Sequence, residues 1–81
     1  MFTIYVIESE KDEIWYTGFT QDIARRLREH NSGKSKFTSG HMPWRLIYSE
    51  MEKERVNARK KEKYLKSAAG KKYISKQISK S

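Results

Sequence analysis

The sequence predicts an α+β fold: a small three-stranded, mostly antiparallel sheet flanked by helices, in the order β-β-α-β-α-α. Three observations carry this. Phe2 to Ile7 and Ile14 to Phe19 are short runs rich in β-branched and aromatic residues, joined by the polar turn Glu10-Lys11-Asp12-Glu13. A third such run, Trp44 to Ser49, starts just after Pro43, the only proline. Apolar residues at helical spacing fill the stretches after the second and third runs.

Each element has a local reason. In the hairpin, Thr3, Tyr5 and Ile7 share one face of the first strand, and Tyr16, Gly18 and Thr20 share one face of the second. Gly18 weakens a strand unless something approaches the backbone closely. Thr20 is a suitable N-cap for the first helix, and Asp22 in its first turn complements the helix dipole. Ile23, Ala24 and Leu27 form an apolar stripe as far as His30, and Asn31-Ser32-Gly33 stops it. Residues 33–43 read as a polar, basic loop, with no role assigned to His41. A second helix runs from about Lys53 to Lys66. Ala68-Ala69-Gly70 interrupts it, and a short third helix carries Tyr73, Ile74 and Ile78.

Eighty-one residues make one domain, 1–81, with a compact core. No cysteine is present, which excludes a disulfide framework and a cysteine-based zinc site and fits a reducing, cytoplasmic location. No apolar run approaches the ~20 residues that span a bilayer, so no membrane partner is expected. The N-terminal Met-Phe-Thr-Ile-Tyr has no basic stretch and does not read as a signal peptide. Exposed strand edges and the Trp15/Trp44 pair offer a surface for a dimer, but oligomeric state is not legible.

Charge is uneven. Residues 1–20 carry one lysine against four acids, whereas residues 50–81 carry eleven bases against four. The formal net charge is +8. A basic C-terminal two-thirds points to a polyanion, nucleic acid first. A solubilising lysine surface is the blander reading.

Several residues then stand out. Tyr5 and Tyr16 are ordinary strand aromatics on pattern alone. Arg26 and His30 are i and i+4 on one helical face. Ala58, Glu62, Leu65 and Ala69 fall within one narrow helical arc. A carboxylate set into that small apolar face should be paired, to Arg26 or a nearby lysine, or should coordinate a metal.

Taken together, Thr3-Ile4-Tyr5-Val6-Ile7, Trp15-Tyr16-Thr17-Gly18-Phe19-Thr20, Arg25-Arg26-Leu27-Arg28-Glu29-His30-Asn31, Pro43 to Tyr48 and Ala58 to Lys66 resemble a GIY-YIG endonuclease domain. The resemblance is to the stand-alone, single-domain bacterial type and covers roughly residues 2–78. It implies a metal-dependent DNA endonuclease that leaves 5′-phosphate and 3′-hydroxyl ends, by structure-selective nicking in repair or recombination. By carry-over, Tyr5 is a general base or base relay and Tyr16 positions the phosphate or the nucleophile. The family spacing selects Arg26 over Arg25 to hold the scissile phosphate, and His30 accepts or relays a proton. Glu62 supplies the one protein carboxylate to a single divalent cation, Mg²⁺ or Mn²⁺. Arg25, Lys34, Lys36, Lys60, Lys61, Lys63, Lys66, Lys71 and Lys72 would track the DNA backbone. The chain departs from the pattern at Thr3 and Thr17, and no asparagine follows Asn57. Two other readings stand beside the nuclease: a nucleic-acid-binding module with weak or no turnover, and a basic accessory subunit needing a protein partner.

Overall fold

The computed structural model describes residues 1–79. Its elements are β1 (Phe2–Ser9), β2 (Trp15–Thr20), α1 (Ile23–Asn31), α2 (Lys36–Ser39), β3 (Trp44–Glu52), α3 (Arg55–Lys66) and α4 (Ala68–Ser79). The strands form one antiparallel sheet of order β2-β1-β3. This is the expected α+β architecture, with one short helix added.

The central strand, β1, is buried on both faces. Ile4 and Val6 pack with Ala58, Leu65 and Ile74 beneath α3 and α4. Tyr5 and Ile7 pack with Trp44 on the opposite face, joined by Ile23 and Leu27 of α1. Strand alternation produces this division, because successive side chains point to opposite sides. The β1–β2 turn closes where Ser9 N donates to Ile14 O at 2.9 Å, with Glu13 taking a positive φ of 62°.

The structure corrects several local expectations. The helix α1 is capped by Asp22, not Thr20: the Asp22 side chain accepts from Arg25 N. Thr20 Oγ1 instead accepts from Asp22 N at 3.2 Å, one step upstream. Ala24 is exposed, so Ile23 and Leu27 carry the apolar stripe of α1. Residues 33–43 contain the four-residue helix α2 and are tied down: Ser9 Oγ donates to His41 O at 2.6 Å, and His41 Nδ1 meets Asp12 Oδ2 at 2.6 Å. The break between the last two helices falls at Ser67, whose backbone N–H donates to Tyr64 O, and Ala68-Ala69-Gly70 belongs to α4. Gly70 marks a close crossing of the two helices. A Cβ there would lie 2.1 Å from Tyr64 O and 2.5 Å from Leu65 Cα. Trp44 is buried and therefore absent from any dimer surface. Among the described residues, no helix is long and apolar enough to cross a membrane.

Candidate active site

The site is built on the Tyr5 face of the sheet. Tyr5 stands in the middle of β1, opposite Gly18 of β2, and is almost completely buried. Its hydroxyl occupies the space a side chain at position 18 would take. A Cβ on Gly18 would lie 2.7 Å from Tyr5 Oη and 3.0 Å from Cζ. This is the close approach that a glycine inside a strand anticipates.

From Tyr5 a hydrogen-bonded chain runs inward. Tyr5 Oη and His30 Nε2 are 2.9 Å apart, and His30 Nδ1 and Thr38 Oγ1 are 3.0 Å apart. His30 is fully buried in the last turn of α1, and Thr38 is fully buried in α2. Burial, with Arg26 adding to it, pushes the His30 pKa down, so the ring is neutral at pH 7. One ring nitrogen then donates and the other accepts. Thr38 Oγ1 also lies 3.5 Å from Ser35 O. In the tautomer protonated at Nδ1, Thr38 accepts from His30 and Nε2 accepts from the Tyr5 hydroxyl.

Trp44 and Asn31 fix this chain from behind. Trp44 Nε1 donates to Thr38 O at 2.8 Å. The Asn31 amide bridges the Trp44 backbone, accepting from N at 2.6 Å and donating to O at 3.0 Å. Both Asn31 and Trp44 lie in the motif segments, and the roles seen here are those of a clamp between α1, α2 and β3. Neither Thr38 nor this clamp was foreseen, because the partners are far apart in sequence.

Tyr16 completes the aromatic cluster. Its ring centroid lies 4.9 Å from that of His30 and 6.4 Å from that of Tyr5. Arg26, one helical turn before His30, donates from Nη1 to Glu29 Oε1 at 3.0 Å. It also acts on the Tyr5 phenol. Burial pushes the Tyr5 pKa up to about 12, while hydrogen bonding and charge from Arg26 pull the other way. At neutral pH Tyr5 is therefore protonated.

Glu62 lies on α3, half-buried, with its Oε2 3.4 Å from Lys66 Nζ. It is paired to that lysine and, among the described residues, not to Arg26. Its negative charge contributes to raising the Tyr5 pKa. Ala58 and Leu65 beside it are buried as expected, whereas Ala69 is exposed. No cluster of three or more His, Cys, Asp or Glu suited to a metal occurs among the described residues. The donor set here is a single accessible carboxylate. That suits Mg²⁺, which keeps several waters and takes substrate phosphate oxygens for the rest.

The basic residues divide by position. Arg25 is exposed and pairs with Glu29 at 3.3 Å. Lys34 and Lys36 are exposed around α2, and Lys60, Lys63 and Lys72 are exposed on α3 and α4. Lys61 bonds to Glu50 at 2.7 Å and Glu52 at 3.4 Å, both on β3. Arg59, absent from the expected set, is exposed. The helical repeat groups it with Glu62, Lys63 and Lys66 on the flank opposite Lys61.

Comparison with known proteins gives the family and the fold. The model of the GIY-YIG catalytic domain family matches residues 1–74. The chain is similar to the UPF0213 protein HQ_3675A of Haloquadratum walsbyi, 42% identical over 65 residues, which span 79% of this chain and 72% of that protein. It is similar to the UPF0213 protein BH0048 of Halalkalibacterium halodurans, 36% identical over 80 residues, covering 83% of this chain and 84% of that one. The solution NMR structure of the UPF0213 protein BH0048 from Bacillus halodurans has the same fold, with a TM-score of 0.58 and 33% identity. That match covers 95% of this chain and 85% of the other.

Proposed function

Because the chain belongs to the GIY-YIG catalytic-domain family, we propose that it is a metal-dependent DNA endonuclease, acting by structure-selective nicking in DNA repair or recombination. Membership implies a nuclease-type function, and nucleases of this family act on DNA and generally use a divalent metal. The proposal extends this to one nuclease domain over residues 1–81, working in a reducing cytoplasm. The observation that carries it is the buried contact of Tyr5 Oη with His30 Nε2 at 2.9 Å, beside the Arg26 guanidinium.

A phenol with a pKa near 12 is a poor base alone. Tyr5 is instead read as a relay. As its oxygen accepts a proton from the attacking water, its own proton passes to the neutral His30 Nε2. The water oxygen bonds to phosphorus as the bond to the 3′-oxygen breaks; the 3′-oxygen leaves as an alkoxide and takes a proton from solvent, which leaves a 5′-phosphate and a 3′-hydroxyl. Arg26 holds the phosphate and offsets the charge that builds on it in the transition state. Tyr16 orients the phosphate against the Tyr5 hydroxyl. Glu62 would hold the cation, Mg²⁺ or Mn²⁺, which supplies Lewis-acid stabilisation of the leaving oxygen. Arg25 and the lysines outside the β3 ion pairs bind the DNA backbone.

The test is nicking of labelled branched and linear DNA with Mg²⁺ or Mn²⁺ by wild type, Glu62→Ala and Tyr5→Phe. Metal-dependent nicking by the wild type, reduced by roughly 10²-fold or more in Tyr5→Phe and in Glu62→Ala, is expected. A second reading draws on the Lys66–Glu62 pair, which competes with a cation for the one carboxylate. On that reading the chain binds nucleic acid without turnover, alone or as a basic subunit of a larger assembly. Salt-sensitive DNA binding with no cleavage by any of the three proteins would establish it.

A further inference from the structure

Phe37 is the most exposed aromatic residue among those described, with 53% of its surface in water. It stands on α2, with its ring centroid 5.9 Å from that of Tyr16 and 5.2 Å from that of His41. An open cleft of about 320 Å³ is lined by Trp15, Tyr16, Thr17, Phe37, Lys66 and Lys71. It is continuous with the site above, since Tyr16 packs on His30 and Lys66 pairs with Glu62.

The chemistry of the lining selects its occupant. Two lysines and no carboxylate line the cleft, so it favours an anion. Trp15, Tyr16 and Phe37 favour a flat, partly apolar ring. The volume is at the lower end of ligand pockets, which suits one ring system. A nucleotide combines these properties, but only an unpaired one presents its π-face to a side chain, because bases in a duplex are stacked on their neighbours. We propose that this cleft takes one unpaired base of a DNA strand, stacked on Phe37, with Lys66 and Lys71 on the adjoining phosphates. Cutting then falls beside an unpaired nucleotide, as at a flap, a gap or a branch point. The inference rests on the DNA-nuclease reading and adds a substrate class to it.

The experiment uses DNA carrying 2-aminopurine, unpaired in one set and fully paired in a second, titrated with the whole protein in EDTA. Wild type should quench the unpaired fluorophore and bind that DNA roughly ten-fold more tightly than the paired duplex. Phe37→Leu keeps the apolar side chain but removes the flat ring, so quenching and preference should both fall away. Phe37→Trp should restore both, which a purely structural role of Phe37 does not predict. Equal affinity of wild type for paired and unpaired DNA overturns the proposal, as does quenching that survives in Phe37→Leu. Failures of the two readings remain distinct. Mg²⁺-dependent nicking of fully paired duplex, unaffected at Phe37, removes the base site and keeps the nuclease. Quenching that depends on Phe37, with no cleavage of any DNA, keeps the base site and removes the nuclease.

Discussion

The two faces of β1 bury side chains equally well and do different things with them. Beneath α3 and α4, Ile4 and Val6 meet Ala58, Leu65 and Ile74 in an apolar cluster, with Thr17 of β2 buried opposite Val6 at its border. On the other face Tyr5, Ile7 and Trp44 share the interior with His30 and Thr38. Apolar contact is non-directional, so the first face fixes where helices lie without aiming any polar atom. The second face adds a directional chain to its apolar contacts. Trp44 holds Thr38, Thr38 holds His30, and His30 holds Tyr5. Among the described residues, no buried side-chain nitrogen or oxygen lacks a partner. A low-dielectric interior strengthens such a chain only when every member is satisfied. One face thus supplies stability, and the other aims the Tyr5 hydroxyl.

The sharpest way to break this division is to injure each face separately. Ile4→Ala removes fully buried volume and should cost about 2–5 kcal/mol of stability. Nicking per folded molecule should stay close to wild type. His30→Ala strands the Tyr5 and Thr38 hydroxyls, at about 1–3 kcal/mol for each group left unpaired. Its nicking should fall by about 10²–10⁴-fold, the usual reach of general acid–base catalysis. Chemical denaturation and single-turnover nicking at a temperature where both variants are folded measure the two effects. Equal losses of turnover in the two variants would erase the distinction between the faces.

A smaller effect sharpens it. Gly18→Ala places a Cβ 2.7 Å from Tyr5 Oη, so ring or backbone must shift, at about 1–3 kcal/mol. Removing that hydroxyl should relieve part of the strain. Gly18→Ala should therefore cost less in a Tyr5→Phe background than in wild type, as read from a double-mutant cycle of urea midpoints. Strict additivity would mean that the hydroxyl is not what occupies the space opposite residue 18.

The same face should show itself in the pH dependence of stability. His30 has its pKa lowered by burial first and by Arg26 second, so the unfolded chain takes up a proton before the folded one does. The contribution is intact above the unfolded pKa of about 6.5 and is lost as the pH falls from there through the lower folded value. Stability should thus decline on acidification in a window above that of the carboxylates Glu8, Glu29 and Glu50, whose pKa values are also lowered. Denaturation midpoints measured across that window should flatten in His30→Gln, which cannot titrate. An unchanged slope would assign the proton uptake to another group.

How much of this was legible in sequence follows from how local each feature is. The strands, the hairpin and the close approach expected at Gly18 depend on alternation and on one short turn, and they read correctly. Helix α2 did not. Four polar and aromatic residues carry no helical period, and what buries Thr38 is its bonds to His30 and Trp44, 8 and 6 residues away. Thr20 and Asp22 are both cap-forming residues. The choice falls to Asp22 because its carboxylate reaches Arg25 N at 3.1 Å. Gly70 looked like a helix breaker, yet it permits a crossing that only the packed helices define. Phe37 lay in the stretch read as a polar loop, so nothing local set it beside Tyr16.

The smallest expected effect concerns the two flanks of α3. Lys61 faces β3, where Glu50 and Glu52 engage it, and Lys63 follows the opposite flank with Glu62 and Lys66. A lysine already matched by two carboxylates releases few DNA counterions when a phosphate approaches, whereas a free one releases about one. Lys63→Ala should therefore reduce the slope of log K against log salt by about 1, with no change in which DNA is preferred. Lys61→Ala should leave that slope as in wild type, and its surface ion pairs are of the kind whose loss barely moves a melting temperature. Fluorescence anisotropy with one labelled duplex at four or five salt concentrations separates the two. If Lys61→Ala lowers the slope as much as Lys63→Ala, the DNA wraps past β3 as well. The binding surface would then span both flanks of α3, while the Tyr5 face keeps the chemistry.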